Sequence, residues 1–569
     1  MPGQPAVSVI INAHREGLLA HRSVRSAVRA AEYAREQGVT VELIAVLDRP
    51  DEATLAYFQS QAAQFARLEH VDFGDPGCSR NQGVRIASGR YICFLDADDL
   101  FSQNWILAAY QFAEAHPDDK LALHPELNLY FGDGLALMPH VDSTASGFST
   151  LSLIQYNYWT ALVFMARHLF TGHEYARTDF ARGFGYEDWH FNCETLASGI
   201  QHRPVPCTAH FIRRKPDGSQ SQRTLRTRGL MPASRLFDAP QPALPDGTEQ
   251  TGGSNHADHA TTGSIGRLSA TLRQMRNLGW WYARCPEALR APLTRTYKWA
   301  KRTMYRFRNP LPQWLLAEWD AICAIEPELQ PCPQLKAAVQ VIVIPPSRLG
   351  PCYAKLSAAY GTDATHVVLV SSLGQGDSSQ TALRTIDAIL ASAPHHRVVC
   401  ITTENEPTPN RGNLPTGVRV VELGKQLAGL SQDDQEVLLT RLLLQKQPTV
   451  VHCINASLGH RMLASKAAAL ATRSKLFVSV FADDVAAAGR PRSVAVDSLW
   501  RCFQHLSGVF VDQEDARQQL IDVYAFDPHK LIVANRHSPA AFLAALRSVP
   551  DYLGSGDARA TDQAGAKAA

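Results

Sequence analysis

The sequence predicts an α/β fold, with a mostly parallel sheet and flanking helices, then a helical basic linker region, then a second α/β domain. Two observations support this prediction. Short apolar runs alternate with longer amphipathic segments near the start of the chain, and a similar alternation resumes after residue 336. The chain has 569 residues, which is more than a single hydrophobic core usually serves, so two or three domains are expected.

The first alternation occupies roughly the first hundred residues and predicts a parallel sheet with right-handed crossovers. Most of its apolar runs are nearly continuous, as expected for strands covered on both faces. The predicted strands are Val7 to Ile11, Val41 to Leu47, Leu68 to Phe73 and Tyr91 to Leu95. The predicted helices between them are Leu18 to Gln37, Ala53 to Ala66 and Ser79 to Ala87.

Polar residues follow each predicted strand. They are Asn12, His14 and Glu16 after the first, Asp48 after the second, Asp72 and Asp75 after the third, and Asp96 to Asp99 after the fourth. In sheets of this kind, ligands bind beyond the carboxyl ends of the strands. The pattern favours one shared site at this edge, and the alternative is that the loops are polar only because they are solvated.

The fourth strand ends in the acidic motif Asp96-Ala-Asp-Asp99. Residues two apart point the same way in an extended chain, so Asp96 and Asp98 are expected to converge on one ligand. Neighbouring carboxylates repel each other unless a cation relieves them, and hard divalent metals prefer oxygen ligands. The motif therefore predicts Mn²⁺ or Mg²⁺ bridging a diphosphate.

The acidic motif has two alternative interpretations, a structural loop and a phosphatase motif. A structural acidic loop stays open, because short acidic strings are common. A phosphatase of the haloacid dehalogenase type is disfavoured, because three predicted strands precede the motif and Leu100 occupies its fifth position.

Four strings, taken together and in this order, resemble family 2 glycosyltransferases of the GT-A fold. The resemblance covers residues 1–220 if the basic segment that starts at Ile212 is included. The strings are Val7 to Glu16, Cys78 to Gly83, Ala87 to Asp99 and Gly183 to Trp189. The chain departs from the family at His14-Arg15, which replaces an aromatic-Asn pair, and after Asp48, where the usual Asp-Gly-Ser is missing.

The resemblance implies an inverting transfer of a sugar from a nucleotide-diphosphate sugar, with a UDP-sugar favoured, to an acceptor hydroxyl in polysaccharide or glycoconjugate assembly. It implies that Asp188 is the catalytic base beside Glu187, that Asp98 and Asp96 hold the metal, and that Asp48 reads the base. The residues expected to bind the donor are Asn12, His14, Glu16, Asp48, Arg80, Asp96, Arg213, Arg214 and Lys215. Trp159 and Trp189 are expected to contact a glycan or lipid-linked acceptor, with core packing as the alternative for Trp159.

The remaining chain divides by composition. Residues 221–264 are predicted to be a flexible linker and residues 265–335 a basic, aromatic helical region. From Arg267 to Arg308 there are eleven Lys and Arg residues against Glu287 alone. This stretch suits an anionic membrane surface, or equally a helical face packed on a neighbouring domain. Residues 336–550 resemble the N-terminal Rossmann-like half of a GT-B glycosyltransferase, and residues 551–569 are predicted to be a disordered tail.

Composition limits the classes of partner and compartment. Lys plus Arg number 56 against 54 Asp plus Glu, a net charge of +2 that excludes a globally basic nucleic-acid binder. Eleven scattered cysteines fit a reducing cytoplasm. The absence of a long apolar segment predicts a cytoplasmic protein, either soluble or peripheral at the inner face of the cell membrane.

A rival of another class is a catalytically silent scaffold that keeps a glycosyltransferase fold and binds glycan or partner proteins. Retention of both acidic motifs argues against it, because a silent module has no need of uncompensated carboxylates.

Overall fold

The computed structural model describes residues 4–215, 224, 229–238, 311–329, 340–345, 347–361, 364–392, 395–482, 484–485, 494–535, 538–549 and 552. Most of the predicted linker, the basic stretch from Arg267 to Arg308 and the tail beyond residue 552 lie outside these ranges. The described residues form two compact units. The first contains residues up to 180, 185–236 and 311–347, and the second contains 181–184, 237–238 and 348–552.

The first unit is built on a ten-stranded sheet. Its strands are β1 (Val7–Ala13), β2 (Val41–Asp48), β3 (Arg67–Val71), β4 (Tyr91–Asp96), β5 (Leu100–Phe101), β6 (Leu121–Gly132), β7 (Ala136–Pro139), β8 (Phe164–Ala166), β9 (Gln201–Arg214) and β10 (Gln340–Val341). The main path runs β10-β7-β6-β8-β4-β1-β2-β3, with β9 pairing β6 and β5. Strands β4, β1, β2 and β3 are mutually parallel, which confirms the predicted βαβ succession.

Within the part of the chain that the structure describes, six helices accompany this sheet. They are α1 (Ala20–Glu36), α2 (Glu52–Ser60), α3 (Pro76–Ile86), α4 (Trp105–Glu114), α5 (Glu187–Ala197) and α6 (Gln313–Cys323). Alternate residues of β1 face opposite layers, so that Val9 and Ile11 join one buried cluster and Ile10 joins another. A Cβ at Gly83 of α3 would come within 2.5 Å of the Ile10 side chain. Glycine at this position therefore lets α3 lie close against β1, and this approach also positions Arg80, one turn earlier.

The first unit extends beyond its predicted end at residue 220. Helix α6 buries Leu315, Trp319 and Ile322 in a core cluster with residues of β6 and β9. Residues 339–344 were predicted to start the second domain, but β10 pairs in parallel with β7 of the first sheet. A short apolar run in the sequence does not reveal which sheet it joins.

The second unit contains an all-parallel sheet of seven strands in the order β13-β12-β11-β14-β15-β16-β17, which confirms a second α/β domain. Its strands are β11 (His366–Val370), β12 (Val398–Thr402), β13 (Arg419–Glu422), β14 (Val450–Ile454), β15 (Lys475–Val480), β16 (Gly508–Val511) and β17 (Leu531–Val533). Its helices are α7 (Leu349–Tyr360), α8 (Asp377–Ser392), α9 (Leu423–Gln426), α10 (Gln432–Lys446), α11 (Ser457–Leu470), α12 (Val494–Cys502), α13 (Glu514–Tyr524) and α14 (Pro539–Arg547).

Tyr552 belongs to the core of the second unit, although the sequence assigned it to the tail. Its side chain is fully buried. Its hydroxyl lies 2.6 Å from Nδ1 of His452, and its carbonyl oxygen lies 2.7 Å from Nε2 of His366. The ordered core of this unit therefore reaches at least residue 552.

Within the described ranges, no helix combines the length and the apolar composition that a membrane crossing requires.

Candidate active site

The carboxyl ends of β1, β2 and β4 meet at one edge of the first sheet. Asn12 of β1 is in register with Val46 of β2 and Asp96 of β4. The polar residues that follow these strands in the sequence therefore lie at the same edge, as the sequence predicted. Helix α3 supplies Arg80, and helix α5 supplies Glu187 and Asp188.

Arg80 of α3 joins the two acidic motifs. Its side chain is only 3% exposed. One terminal nitrogen donates to Oε1 of Glu187 at 3.0 Å, and the other donates to both carboxylate oxygens of Asp96 at 3.0 and 3.1 Å. The ring of Tyr175 lies 5.4 Å from the guanidinium carbon. One buried cation therefore holds the Asp-x-Asp motif and the Glu-Asp pair together.

Asp98 and Asp99 are clustered acids with different partners. Oδ2 of Asp98 lies 2.7 Å from Nζ of Lys215. Burial and the neighbouring Asp99 raise the pKa of Asp98 to about 6, while Lys215 opposes the shift. Asp99 accepts the backbone N–H of Arg213 at 2.9 Å and lies 3.2 Å from Nε2 of His210. Burial and Asp96 raise the pKa of Asp99 to about 8.

The chemistry of this acidic cluster fits a divalent cation. Among the described residues, no three or more His, Cys, Asp or Glu side chains converge as a complete metal site. Magnesium, however, commonly uses only one or two protein carboxylates and takes its other ligands from substrate phosphates and water. Asp98 and Asp96 offer hard oxygen ligands, and in this structure Lys215 pairs with the first carboxylate and Arg80 with the second.

Asp188 lies in the first turn of α5, immediately after Glu187. The helix is preceded by Tyr186, whose φ of 59° lies in the left-handed region and turns the chain sharply before the acidic pair. Burial and Glu187 raise the pKa of Asp188 to about 7, and Arg80 opposes the shift. Nδ2 of Asn157 donates to Oδ2 of Asp188 at 3.1 Å.

Asp48 anchors the loop between β3 and α3. Its carboxylate accepts hydrogen bonds of 2.8 to 2.9 Å from the backbone N–H groups of Phe73, Gly74 and Asp75 and from the Ser79 hydroxyl. Both oxygens are engaged within the protein. Recognition of the nucleobase by Asp48 stays a prediction, and the observed contacts give this residue a structural task that the sequence did not reveal.

The other predicted donor-binding residues of the β1 edge are close to Asp48. Nδ1 of His14 contacts the carbonyl oxygen of Asp48, and the His14 backbone N–H donates to Oε2 of Glu16 at 2.6 Å. Burial raises the pKa of Glu16. Asn12 is 9% exposed, and neither its side-chain nitrogen nor its oxygen has a hydrogen-bond partner among the described residues.

The three basic residues at the end of β9 diverge. Lys215 forms an ion pair with the Asp98 carboxylate, and Nε of Arg213 donates to the backbone carbonyl oxygen of Asp98 at 3.3 Å. The guanidinium of Arg213 pairs with Glu326 and with Oε2 of Glu328, and that of Arg214 lies 4.3 Å from the centre of the Tyr130 ring. Donor binding by Arg213 would therefore require it to exchange its carboxylate partners.

The two tryptophans differ in exposure. Trp159 is 1% exposed, its Nε1 donates to the carbonyl oxygen of Val141 at 2.8 Å, and its ring centre lies 4.3 Å from that of His202. The core-packing alternative describes this position. Trp189 is partly exposed, and its ring meets that of Tyr186 edge-on at 5.4 Å.

Sequence reasoning missed four residues of this region. They are Asn157, Tyr175, His210 and Glu326. Two of them had a local signal, because Asn157 lies two residues before Trp159 and His210 three residues before Arg213. Tyr175 and Glu326 had none, since their contacts join segments that are far apart in the sequence.

A family model matches the part of the chain that contains strands β1 to β4 and the acidic residues that follow them. Residues 8–126 match the family model for glycosyl transferase family 2. The matched range includes Asn12, Asp48, Arg80, Asp96 and Asp98. Asp188 and the residues at the end of β9 lie beyond the matched range.

Two curated proteins align with a short part of this chain, and one solved structure shows a low structural similarity to it. Over 82 residues, or 14% of this chain, the chain is 40% identical to the succinoglycan biosynthesis protein ExoO of Rhizobium meliloti and 29% identical to a poly(ribitol-phosphate) beta-glucosyltransferase of Bacillus spizizenii. The alignments span 24% and 13% of the length of these relatives. The crystal structure of S. aureus TarS superposes with a TM-score of 0.29 and 15% identity, covering 39% of this chain and 38% of TarS.

Proposed function

We propose that the first unit is an inverting glycosyltransferase that moves a sugar from a nucleotide-diphosphate sugar, with a UDP-sugar favoured, to an acceptor hydroxyl. The observation that carries the proposal is the contact of Arg80 with both Asp96 and Glu187, because it brings the donor-binding motif beside the acidic pair. The family 2 match over residues 8–126 supports the same reaction class.

The donor diphosphate is expected to bind beside Asp98. Asp98 and Asp96 would hold Mn²⁺ or Mg²⁺, which when bound neutralises charge on the diphosphate. Lys215, which lies 2.7 Å from Asp98, would turn its ammonium toward the departing nucleotide diphosphate and stabilise the charge that develops there. The same lysine keeps Asp98 partly compensated before the donor arrives.

The acceptor hydroxyl is expected to lose its proton to Asp188. As the acceptor oxygen bonds to the anomeric carbon, the bond from that carbon to the diphosphate breaks, and the hydroxyl proton passes to the Asp188 carboxylate. An ordinary Asp is a weak base near neutral pH. A pKa of about 7 brings this carboxylate into the range where general-base catalysis is most effective.

A role in polysaccharide or glycoconjugate assembly is part of the proposal. One relative is named as a poly(ribitol-phosphate) glucosyltransferase and the other as a succinoglycan biosynthesis protein, and both names support a glycan acceptor.

A donor screen tests the proposal. The purified chain is incubated with Mn²⁺ and a panel of UDP-, GDP- and dTDP-sugars, with and without glycan or lipid-linked acceptors, and nucleotide release is measured. Release with at least one donor, increased by an acceptor and suppressed by a chelator, is expected. No release under any condition would contradict the enzyme and favour a silent scaffold.

A further inference from the structure

A chain of side-chain amides ends on the carboxylate of Asp188. Nδ2 of Asn157 donates to Oδ2 of Asp188 at 3.1 Å. Oδ1 of Asn157 in turn accepts from Nδ2 of Asn192 at 3.1 Å. Asn192 is 2% exposed and lies one turn after Asp188 on α5, where its Nδ2 also lies 3.4 Å from the carbonyl oxygen of Trp159. Both amides therefore have partners on two sides.

The direction of these hydrogen bonds is fixed by chemistry. A backbone carbonyl oxygen only accepts, so Asn192 must turn its NH₂ group toward Trp159 and Asn157. Asn157 must then turn its oxygen toward Asn192 and its NH₂ group toward Asp188. Reversing either amide would place two donors or two acceptors against each other. The buried carbonyl of Trp159 thus determines which end of Asn157 meets the proposed base.

We infer that Asn157 is a positioning residue for the transfer reaction, holding the Asp188 carboxylate in one orientation and favouring its ionised form through a donated hydrogen bond. The inference rests on the proposed function of Asp188 as the base. A hydrogen bond to the charged form of an acid favours that form. It opposes burial and Glu187, both of which favour the protonated form.

The titration of Asp188 depends on the charged and phenolic side chains around it. Among the described residues, Glu187 and Arg80 are the charged groups with the largest effect on Asp188, and they hydrogen bond to each other. The phenols that interact electrostatically with Asp188 are those of Tyr130, Tyr175 and Tyr186. Burial raises the pKa of each phenol, so all three stay neutral around neutral pH. A substitution at the uncharged Asn157 therefore changes the hydrogen bond to Asp188 without removing any other charge near it.

The test is the pH dependence of kcat in Asn157→Ala and in the isosteric Asn157→Asp. The base acts when deprotonated, so activity falls below its pKa. Loss of the donated bond raises that pKa, and the acid limb should move to higher pH by about one unit in Asn157→Ala. Asn157→Asp adds a like charge and should move it further. Donor KM should change less than twofold, because the donor site is untouched.

Two further variants frame the result. Asn192→Ala removes one of the two donors to Oδ1 of Asn157, the other being the backbone N–H of Trp159 at 3.4 Å, and should give a smaller shift in the same direction. Asn104→Ala is the matched control, since Asn104 is also partly buried and donates to the carbonyl oxygen of Cys207 at 2.9 Å, away from Asp188. It should leave the acid limb unchanged.

The outcomes separate this inference from the proposed function. An active wild type whose acid limb is the same in both folded Asn157 variants would overturn the positioning role alone. If Asn157→Ala fails to fold, Asn157→Asp decides the question, because it preserves the size of the side chain. A wild type with no transfer activity would overturn the proposed function together with the inference.

Discussion

The first unit contains a mixed sheet and the second an all-parallel sheet, and the two units use their buried polar groups differently. In the first unit, charged side chains crowd one sheet edge, and the pKa values of Asp98, Asp99 and Asp188 rise because their charges are buried close together. In the second unit, His452 pairs with the hydroxyls of Ser479 and Tyr552 at 2.8 and 2.6 Å, and burial lowers its pKa to about 3. Uncompensated charge indicates a reactive edge, whereas neutral hydrogen-bonded pairs indicate a core.

The difference between the two units is tested most directly by replacing one acidic residue in each, at the start of a helix in the first unit and at the end of a strand in the second. Asp188→Asn should lower kcat by about 10³-fold while donor affinity stays the same, because a positioned general base contributes roughly that much. In the wild type, kcat should fall as pH drops below about 7, the pKa of Asp188, since the protonated acid cannot accept a proton. Steady-state kinetics and calorimetric donor titration measure both quantities.

The matched acid in the second unit is Asp512, which follows β16 and accepts the backbone N–H of Ala482 at 2.8 Å. Asp512→Asn should leave kcat unchanged. Equal losses in the two variants would show that both sheet edges take part in transfer, and loss of donor binding in Asp188→Asn would show that the base has been misassigned.

A second comparison concerns the ion pairs. Arg80→Met leaves the buried carboxylate of Glu187 without its partner and should lower the free energy of unfolding by about 3 kcal/mol. Arg348→Met removes the more exposed pair of Arg348 with Asp434 in the second unit and should cost less than about 1 kcal/mol. Urea unfolding followed by tryptophan fluorescence measures both losses of stability. Similar losses in the two variants would contradict the conclusion that the buried ion pairs of Arg80 stabilise the fold more than the exposed pair of Arg348.

The role proposed for Asp98 predicts an intermediate effect. Asp98→Asn should abolish the gain in UDP affinity that Mn²⁺ produces, which we expect to be roughly 2 kcal/mol for a cation bridging a diphosphate. Affinity measured in EDTA should change little. A variant that keeps the full manganese-dependent gain would exclude Asp98 as a ligand.

The smallest effect is expected in the core of the second unit. Tyr552→Phe removes the hydroxyl that pairs with His452 and should lower the free energy of unfolding by about 1 kcal/mol. Tyr360 is the control, because its fully buried hydroxyl has no hydrogen-bond partner among the described residues. Tyr360→Phe should be neutral or slightly stabilising, and a larger loss there than at Tyr552 would contradict the assignment of Tyr552 to the core.

The sequence predicted the four parallel strands β1 to β4 and the charged edge of the first sheet for a physical reason, whereas β5 to β9 were not predicted. Strands covered on both faces must be nearly continuous in apolar residues, so β1, β2 and β4 were visible in the sequence, and the acids that follow them had to share one edge. β17 contains only three residues, which is too few for a recognisable strand pattern in the sequence. The pairing of β10 with β7 could not be predicted, because apolar character does not specify a pairing partner.

The roles of single side chains were harder to predict. Asp48 has the residue type and place of a ligand-binding acid, but three hydrogen bonds from the loop between β3 and α3 and one from Ser79 of α3 engage it. Arg213 looked free in the sequence, and its carboxylate partner Glu326 lies 113 residues away. Such contacts depend on how distant segments pack, which neither spacing nor composition records.

The burial of Glu326 has a practical consequence for anyone who wishes to study the family 2 region in isolation. Its carboxylate is completely enclosed and contacts both Arg213 and Arg22 of α1, with 3.4 Å separating it from the latter. A recombinant fragment that ends at residue 220 would leave the guanidinium groups of Arg22 and Arg213 without Glu326. It would also expose the apolar surface that α6 covers. Expression trials should therefore retain the chain through residue 347, where the first unit ends.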